Sequence, residues 1–231
     1  MVPDAGPGAD MDGFSGPADP ADRTLITVLA DARGAGFLGP GPLAVHLDHA
    51  RAMAGALPEA PTGLVADLGT GGGVPGLVLA TVWSTAELLL IESNLRRARF
   101  LQESTVRLGM ADRVTVLALR AEDVGRQPAC RGRCDVVTAR GFGPPAVTAE
   151  CGAPLLAIGG VLLVAEPPEP RLDRWPDDGL ALLGLAGERR AQAGLSFTVL
   201  RQQHDCPDRY PRRVGVPAKR PLWPVPRETS L

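Results

Sequence analysis

Short apolar runs and amphipathic stretches alternate along the middle of this chain. The apolar runs are typical of buried strands, and the stretches between them repeat their apolar positions with helical spacing. The pattern predicts helices over residues 43–57, 75–83, 94–109, 122–124 and 144–157, and strands over 64–67, 88–92, 114–118, 135–139 and 161–165. Two further strands, near 188–192 and 197–203, are expected to close the sheet as an antiparallel pair.

This alternation predicts an α/β fold with a mostly parallel, seven-stranded sheet and helices on both faces. Gly109 is expected just after a helix end, and Gly159-Gly160 are expected to form the turn into the fifth strand. Ligands of such open sheets bind outside the carboxyl ends of the strands. Polar residues stand at those ends in four places, namely Asp67, Glu92, 120–122 and Arg140. We therefore expect the functional site at this edge.

The stretch 65–76 is the most informative local feature. It contains an apolar strand, an acid, a glycine-dense turn and a proline that can open a helix. Gly69, Gly71 and Gly73 let the backbone adopt positive φ and let a ligand approach the main chain closely, and the free N–H groups of the next helix add partial positive charge. The stretch predicts a loop for a nucleotide-type cofactor. The alternative is a glycine-rich turn that binds nothing.

Asp67 discriminates between two cofactors. The glycines also match the dinucleotide pattern G-x-G-x-x-G, but a carboxylate aimed into the cleft would repel a pyrophosphate. S-adenosylmethionine carries an ammonium and a sulfonium group, which the same carboxylate would attract. We therefore expect Asp67 to face the cleft and the cofactor to be S-adenosylmethionine rather than NAD.

Two later acids extend this interpretation. Glu92 ends the second strand, about twenty residues after the loop, where an acid can bind ribose hydroxyls. Its alternative is a surface acid before the next helix. Arg120-Ala121-Glu122 follow the third strand, where an adenine can stack with backbone groups reading its edge. Glu122 is equally compatible with an acid that favours a helix N-terminus.

The net charge of −2 conceals a segregation of charge between the ends. Residues 1–22 contain five aspartates, eight Gly or Pro and no basic residue, which predicts a disordered leader before a catalytic domain over 23–206. Residues 207–231 form a basic, proline-rich strap with six cations and no acid between 209 and 227. Cations and aromatic rings on an extended spine suit phosphate contacts and base stacking, although a solvated charged tail is the alternative.

Composition limits the remaining classes. The four cysteines, Cys130, Cys134, Cys151 and Cys206, form no C-x-x-C pair, so we expect free thiols and no metal site. No apolar run approaches the roughly eighteen residues of a membrane span, and the N-terminus lacks a basic region followed by an apolar stretch. We therefore expect a cytosolic protein without a membrane partner, and a monomer.

These motifs resemble the glucose-inhibited division protein B family, the bacterial 16S ribosomal RNA guanine-N7 methyltransferases, also called small-subunit methyltransferase G. The resemblance covers roughly residues 43–221. It rests on D-L-G-T-G-G-G-V-P-G-L at 67–77, R-R-A-R-F-L at 96–101, R-A-E at 120–122 and T-A-R at 138–140. The most specific motif is Y-P-R-R-V-G-V-P-A-K-R-P-L at 210–222, which is similar to the family's Y-P-R-K-x-G-x-P-x-K-x-P-L ending.

The resemblance implies a Rossmann-like class I fold and methyl transfer from S-adenosylmethionine to N7 of a guanine in small-subunit ribosomal RNA. The implied cofactor-binding residues are Asp67, Gly69, Gly71, Gly73, Leu77, Glu92, Ala121, Glu122 and Arg140. Arg140 is also expected as the catalytic residue that orients the guanine or an adjacent phosphate; its alternative is a salt bridge to a neighbouring acid. The expected RNA-binding residues are Arg212, Arg213, Lys219 and Arg220.

Three features depart from the family pattern. Glu166-Pro167 replaces a lysine-glycine pair after the fifth strand, and an anion there is expected to cost RNA affinity and to favour a divergent target. His46-Leu47-Asp48-His49 only partly matches the family's histidine before an Asp-Ser pair, and the acidic leader replaces an aromatic-rich one. These departures leave open a paralogue that methylates a small molecule or another RNA, or an inactive cofactor-binding regulatory protein.

Overall fold

Seven strands form one sheet in the computed structural model, which describes residues 20–168 and 172–224. The strands are β1 (Leu64–Leu68), β2 (Glu87–Ile91), β3 (Val114–Leu117), β4 (Cys134–Ala139), β5 (Leu156–Ala165), β6 (Leu185–Gln192) and β7 (Leu195–Gln202). Their order is β3-β2-β1-β4-β5-β7-β6, with β7 antiparallel to β5 and to β6 and the other pairs parallel. The predicted seven-stranded, mostly parallel sheet with its antiparallel pair is confirmed.

Helices cover both faces of this sheet. They are α1 (Pro20–Gly34), α2 (Leu43–Gly55), α3 (Gly76–Val82), α4 (Leu95–Arg107), α5 (Ala121–Val124), α6 (Pro145–Gly152), α7 (Asp177–Ala181) and α8 (Val216–Lys219). One buried cluster joins the sheet to α1–α4, and a second joins its other face to α5, α6 and the C-terminal segment. Consecutive strand residues such as Val65 and Ala66 belong to opposite clusters, as the two-residue period of a strand requires.

The strand order places the functional edge at the centre of the sheet. The chain leaves β1 towards β2 on one side and later returns to add β4 on the other. Connections diverge at this point and leave a crevice above the carboxyl ends of β1 and β4. The glycine-dense loop follows β1, and Arg140 follows β4, so the topology places both beside the crevice.

The first helix is absent from the sequence-based prediction. α1 begins at Pro20, inside the range predicted as a disordered leader, while residues 1–19 lie outside the described part of the chain. Leu25, Val28, Leu29 and Ala32 are buried against the core. Their spacing is a helical signal that was present in the sequence but overlooked.

The Gly159-Gly160 prediction is wrong. β5 already begins at Leu156 and runs through both glycines, where its register with β4 shifts between Cys134 and Val136. A Cβ on Gly160 would lie 2.7 Å from the Cys134 carbonyl oxygen, so this irregularity requires glycine. The preceding helix is also shorter than predicted. α6 ends at Gly152 and a 3₁₀ turn containing Pro154, which lacks an N–H donor, leads into β5.

Candidate functional site: two clefts above the sheet

The glycine loop is supported from below by Asp67. Its carboxylate accepts hydrogen bonds from the Gly76 N–H at 3.1 Å and from the Thr138 hydroxyl at 2.7 Å. Asp67 is buried, so the prediction that its carboxylate faces the cleft is wrong. The N–H groups at the start of α3 need an acceptor, and this side chain supplies one. Burial raises the pKa of Asp67 to about 6, against the opposing effect of the Thr138 hydrogen bond.

Glu92 holds the loop from the other side. One carboxylate oxygen accepts from the Gly71 N–H at 2.9 Å and the other accepts from the Asn94 N–H at 2.8 Å. Gly69 and Gly71 have φ values of +64° and +60°, so both need the freedom of glycine. A Cβ on Gly69 would also lie 2.8 Å from the Phe142 ring. The loop therefore has a fixed shape, with Gly69 exposed and Glu92 buried beside it.

A cleft of about 300 Å³ lies above this loop. Its walls come from the ends of β1, β2 and β3, from α6 and from the C-terminal segment. The lining residues are Gly69, Ile91, Glu92, Ser93, Leu119, Arg120, Ala121, Glu122, Phe142, Gly143, Pro144, Val147, Cys151, Val214, Gly215 and Ala218. Apolar side chains flank a single buried carboxylate, Glu92, and glycine backbone, which fits a nucleoside with polar ribose hydroxyls. We call this the cofactor cleft.

Four of the predicted cofactor residues line this cleft: Gly69, Glu92, Ala121 and Glu122. The other five lie elsewhere. Leu77 is fully buried in the core, and Gly73 packs so closely on it that a Cβ would lie 2.5 Å from its Cδ1. Gly71 binds Glu92, Asp67 lies below the loop, and Arg140 lines a neighbouring cleft. Asp67, Gly71, Gly73 and Leu77 therefore shape or support the loop.

The neighbouring cleft, of about 410 Å³, opens above the ends of β4 and β5. It shares Phe142 and Gly143 with the cofactor cleft, so the two clefts meet at these residues. Its other lining residues are His49, Ala139, Arg140, Gly141, Thr148, Val164, Ala165, Glu166, Pro167, Arg174 and Trp175. We call this the second cleft.

Arg140 in the second cleft contacts α2. Its Nη2 lies 2.8 Å from His46 Nδ1, and His46 Nε2 lies 3.2 Å from the Gly39 carbonyl oxygen. Burial, and next the Arg140 cation, lower the pKa of His46, and the same two causes lower the pKa of His49. Sequence reasoning missed this contact, although the i, i+3 spacing of His46 and His49 placed both on one helical face.

Glu166 is not an exposed anion. It is buried and accepts hydrogen bonds from the Trp175 indole N–H and from the Thr198 hydroxyl, and Arg174 Nε lies 2.9 Å from its other oxygen. Its charge is therefore paired with Arg174 inside the protein, and the expected cost in RNA affinity stays a prediction. The sequence could not show this, since nothing in the spacing of positions 166 and 174 predicts an ion pair.

The C-terminal segment folds onto the domain instead of extending from it. Arg212 donates to Glu150 Oε1 from its backbone N–H at 2.9 Å and from Nε at 2.7 Å, and Glu150 is fully buried. The Gly215 N–H donates to Glu122 Oε1 at 3.0 Å. Glu122 thus binds the segment that closes the cofactor cleft, and Arg212 binds Glu150, so its role in RNA binding stays a prediction. Arg213, Lys219 and Arg220 are exposed.

The remaining predictions concern thiols, metals and membranes. All four cysteines are free, as predicted, and all four are buried. Burial raises the pKa of Cys134 to about 12 and that of Cys206 to about 11, so these thiols are protonated at neutral pH. The described residues contain no cluster of three or more potential metal ligands. None of the described helices combines the length and the apolarity that crossing a bilayer requires.

Solved structures with the same fold include methyltransferases. An RNA methyltransferase from Salinibacter ruber in complex with S-adenosyl-L-homocysteine matches 73% of this chain and 97% of its own, with a TM-score of 0.51 and 18% identity. A 16S rRNA N2 G1207 methyltransferase from T. thermophilus in complex with AdoMet and guanosine matches 69% of this chain and 40% of its own, with a TM-score of 0.50 and 18% identity. The chain therefore has the fold of the class I methyltransferases.

Sequence comparison identifies the family within this class. The profile of the GidB family, described as rRNA small subunit methyltransferase G, matches residues 46–168. Proteins named ribosomal RNA small subunit methyltransferase G are similar over most of their length. The protein of Rubrobacter xylanophilus is 37% identical over 84% of this chain and 80% of its own length. The protein of Syntrophomonas wolfei is 34% identical over 79% of this chain and 87% of its own length. The chain belongs to this family.

Proposed function

We propose that this protein transfers a methyl group from S-adenosylmethionine to N7 of a guanine in small-subunit ribosomal RNA. The observation that carries the proposal is the junction of the two clefts at Phe142 and Gly143. A donor in the cofactor cleft and a base in the second cleft would meet at this junction. The names of the relatives supply the RNA substrate class, since they are small-subunit ribosomal RNA methyltransferases.

The cofactor cleft suits S-adenosylmethionine. Glu92 would bind the ribose hydroxyls from the end of β2, and Ala121 and Leu119 would flank the adenine. The shaped backbone at Gly69 would lie against the methionine portion. When bound, the cofactor supplies an electrophilic methyl group, whose carbon–sulfur electron pair stays on sulfur while N7 of the guanine uses its lone pair for the new bond.

Arg140 would orient the acceptor in the second cleft. A guanidinium presents a planar set of donors that fits guanine O6 or a phosphate. No general base is required, because N7 carries a free lone pair at neutral pH. The chain would therefore catalyse the reaction by holding the acceptor in line with the methyl group and by excluding water. Such positioning of the reactants accelerates a reaction by itself.

The exposed cations of the C-terminal segment would extend the RNA contact outside the clefts. Arg213, Lys219 and Arg220 are exposed on the segment whose Val214, Gly215 and Ala218 line the cofactor cleft. A phosphate backbone held there would lie beside the mouth of the cleft. This arrangement favours a polynucleotide over a small metabolite as the acceptor.

Calorimetric titration followed by a transfer assay tests the proposal. The protein should bind S-adenosylmethionine and not NAD, and should then transfer labelled methyl groups to small ribosomal subunits or their RNA. Binding without transfer to any ribosomal substrate would instead support an inactive regulatory protein. Transfer confined to small metabolites would support a divergent paralogue.

A further inference from the structure

Unsatisfied polar atoms concentrate at the second cleft. In residues 20–168 and 172–224, four buried side-chain nitrogen or oxygen atoms lack a hydrogen-bond partner, and three of them belong to residues that line this cleft. The three are His49 Nδ1, Glu166 Oε2 and Arg174 Nε. Buried polar groups in folded proteins almost always have partners. Two of the three, Glu166 Oε2 and Arg174 Nε, lie 2.9 Å apart as an ion pair without an aligned hydrogen bond, so the hydrogen-bonding capacity of this wall of the cleft is only partly used.

Glu166 is rigidly fixed in the wall of this cleft. Its Oε1 accepts from the Thr198 hydroxyl at 2.7 Å and from the Trp175 indole N–H, and its side chain has no exposed surface. These two donors come from β7 and from the segment before α7, so Glu166 ties both to the end of β5. A carboxylate held in this way has one defined orientation towards its ionic partner.

Arg174 is held beside Glu166 but retains hydrogen-bonding capacity. Its Nε lies 2.9 Å from Glu166 Oε2, in contact as an ion pair although the N–H is not aligned for a hydrogen bond. Its backbone carbonyl oxygen accepts from the Trp223 indole N–H at 3.1 Å, which fixes the main chain. The side chain is 24% exposed, so part of the guanidinium remains accessible.

We propose that Arg174 binds a backbone phosphate of the acceptor RNA and that Glu166 is the positioning residue that holds it, an inference that rests on the proposed function. Arg140 is engaged by His46, so the second cleft contains two guanidinium groups in different surroundings. A guanidinium fork matches phosphate oxygens well. Glu166 stands at the end of β5 in place of the lysine of the family pattern. Arg174 thereby supplies a cation near the position that this lysine would occupy.

Arg174→Lys and Arg174→Gln test this inference by steady-state methyl transfer to small-subunit RNA. Lysine keeps the charge opposite Glu166, so this variant should fold, but it loses the planar fork. We expect KM for RNA to rise about tenfold for Arg174→Gln, because one charge-assisted hydrogen bond is lost. The rise should be smaller for Arg174→Lys. The slope of log affinity against log salt should fall by about one in Arg174→Gln. Cofactor affinity should be unchanged in both.

A double-mutant cycle tests the role of Glu166. Glu166→Gln replaces one carboxylate oxygen with an amide NH2 group and removes the negative charge, so the ion pair with Arg174 is lost. This variant should raise KM for RNA, and Glu166→Gln with Arg174→Gln should be no worse than Arg174→Gln alone. Glu59→Gln is the matched control, because Glu59 is exposed and precedes β1 at the opposite edge of the sheet.

The outcomes separate this inference from the proposed function. If the wild-type protein methylates the RNA and Arg174→Gln matches it in KM and salt dependence, the inference is overturned and the function stands. Additive effects in the cycle would also overturn it, because Glu166 and Arg174 would then act independently. A parallel loss of cofactor affinity would overturn it as well, because it indicates a general structural role. If the wild-type protein methylates no ribosomal RNA, the proposed function itself fails.

Discussion

His46 and Arg140 form a hydrogen bond between two residues 94 positions apart, which ties α2 to the end of β4. A guanidinium can only donate, so His46 Nδ1 must be unprotonated, and Nε2 carries the proton that it donates to the Gly39 carbonyl oxygen. His46 is therefore neutral when Arg140 is in place. Because the pKa of His46 is already lowered by burial and by Arg140, this state is stable at neutral pH.

The pKa of His46 in the folded protein lies below 6.5, and methyl transfer should decrease as the pH falls through this pKa. Protonation of Nδ1 removes the acceptor and places two cations in contact, so Arg140 loses its orientation. His46→Gln keeps an acceptor that does not titrate, and its rate profile should lack this acid limb. His49→Gln is the control for the second histidine in the cleft. An unchanged acid limb in His46→Gln would show that another group controls the rate.

The same histidines should make stability depend on pH. Their folded pKa values lie below 6.5, so the unfolded chain binds protons first as the pH falls. Their contribution to the free energy of unfolding is complete above pH 6.5 and is lost as the pH falls through the folded pKa values. Urea unfolding of the wild type and of the variant with both histidines replaced by glutamine should therefore diverge only on the acid side.

Asp67 should have the opposite effect. Its pKa rises from 3.8 to about 6 on folding, so its contribution to stability is complete below pH 3.8 and is lost as the pH rises through 6. Compared with Asp67→Asn, the wild type should lose stability between pH 4 and pH 7, on the order of 3 kcal/mol. Asp67→Asn should also weaken cofactor binding, because the amide has one acceptor oxygen and cannot accept from both the Gly76 N–H and the Thr138 hydroxyl as the carboxylate does. Equal pH dependence in the two proteins would contradict this role.

Arg212 should matter for stability rather than for RNA recognition. Arg212→Ala leaves the buried Glu150 carboxylate without a cation, which costs about 3–5 kcal/mol for a pair of this kind. Thermal unfolding should show the loss, while Arg213→Ala, at an exposed neighbour, serves as the control and should unfold like the wild type. If Arg212→Ala keeps its melting temperature and loses only RNA affinity, the sequence-based prediction for Arg212 was right.

Lys219 offers a direct probe of the RNA surface. It is the only lysine in the chain and is exposed, so an amine-reactive reagent should label its ε-amino group. Bound small-subunit RNA should protect it, whereas S-adenosylmethionine should not, because Lys219 does not line the cofactor cleft. Mass spectrometry of the labelled peptide measures both. Equal labelling with and without RNA would place the interface elsewhere.

The fold was predictable because strand patterns depend on neighbours in sequence. β1–β5, the closing hairpin and the glycine loop all follow from local apolar runs and turn residues. The site was only partly predictable, because its decisive contacts are between distant positions. Motif spacing identified Asp67 and Arg212 but not whether each faces a ligand or another residue of the chain. Glu150 and Glu122, which bind the C-terminal segment, gave no signal that they would do so.

The most direct test of the account is the nucleoside that this protein modifies and its dependence on Arg140. Small-subunit RNA from a deletion strain should be incubated with S-adenosylmethionine and either the wild-type protein or Arg140→Ala, and digested to nucleosides for mass spectrometry. We expect 7-methylguanosine from the wild type, and from Arg140→Ala little product despite unchanged cofactor affinity in calorimetry. Methylation at another atom or base, or full activity of Arg140→Ala, would contradict the account.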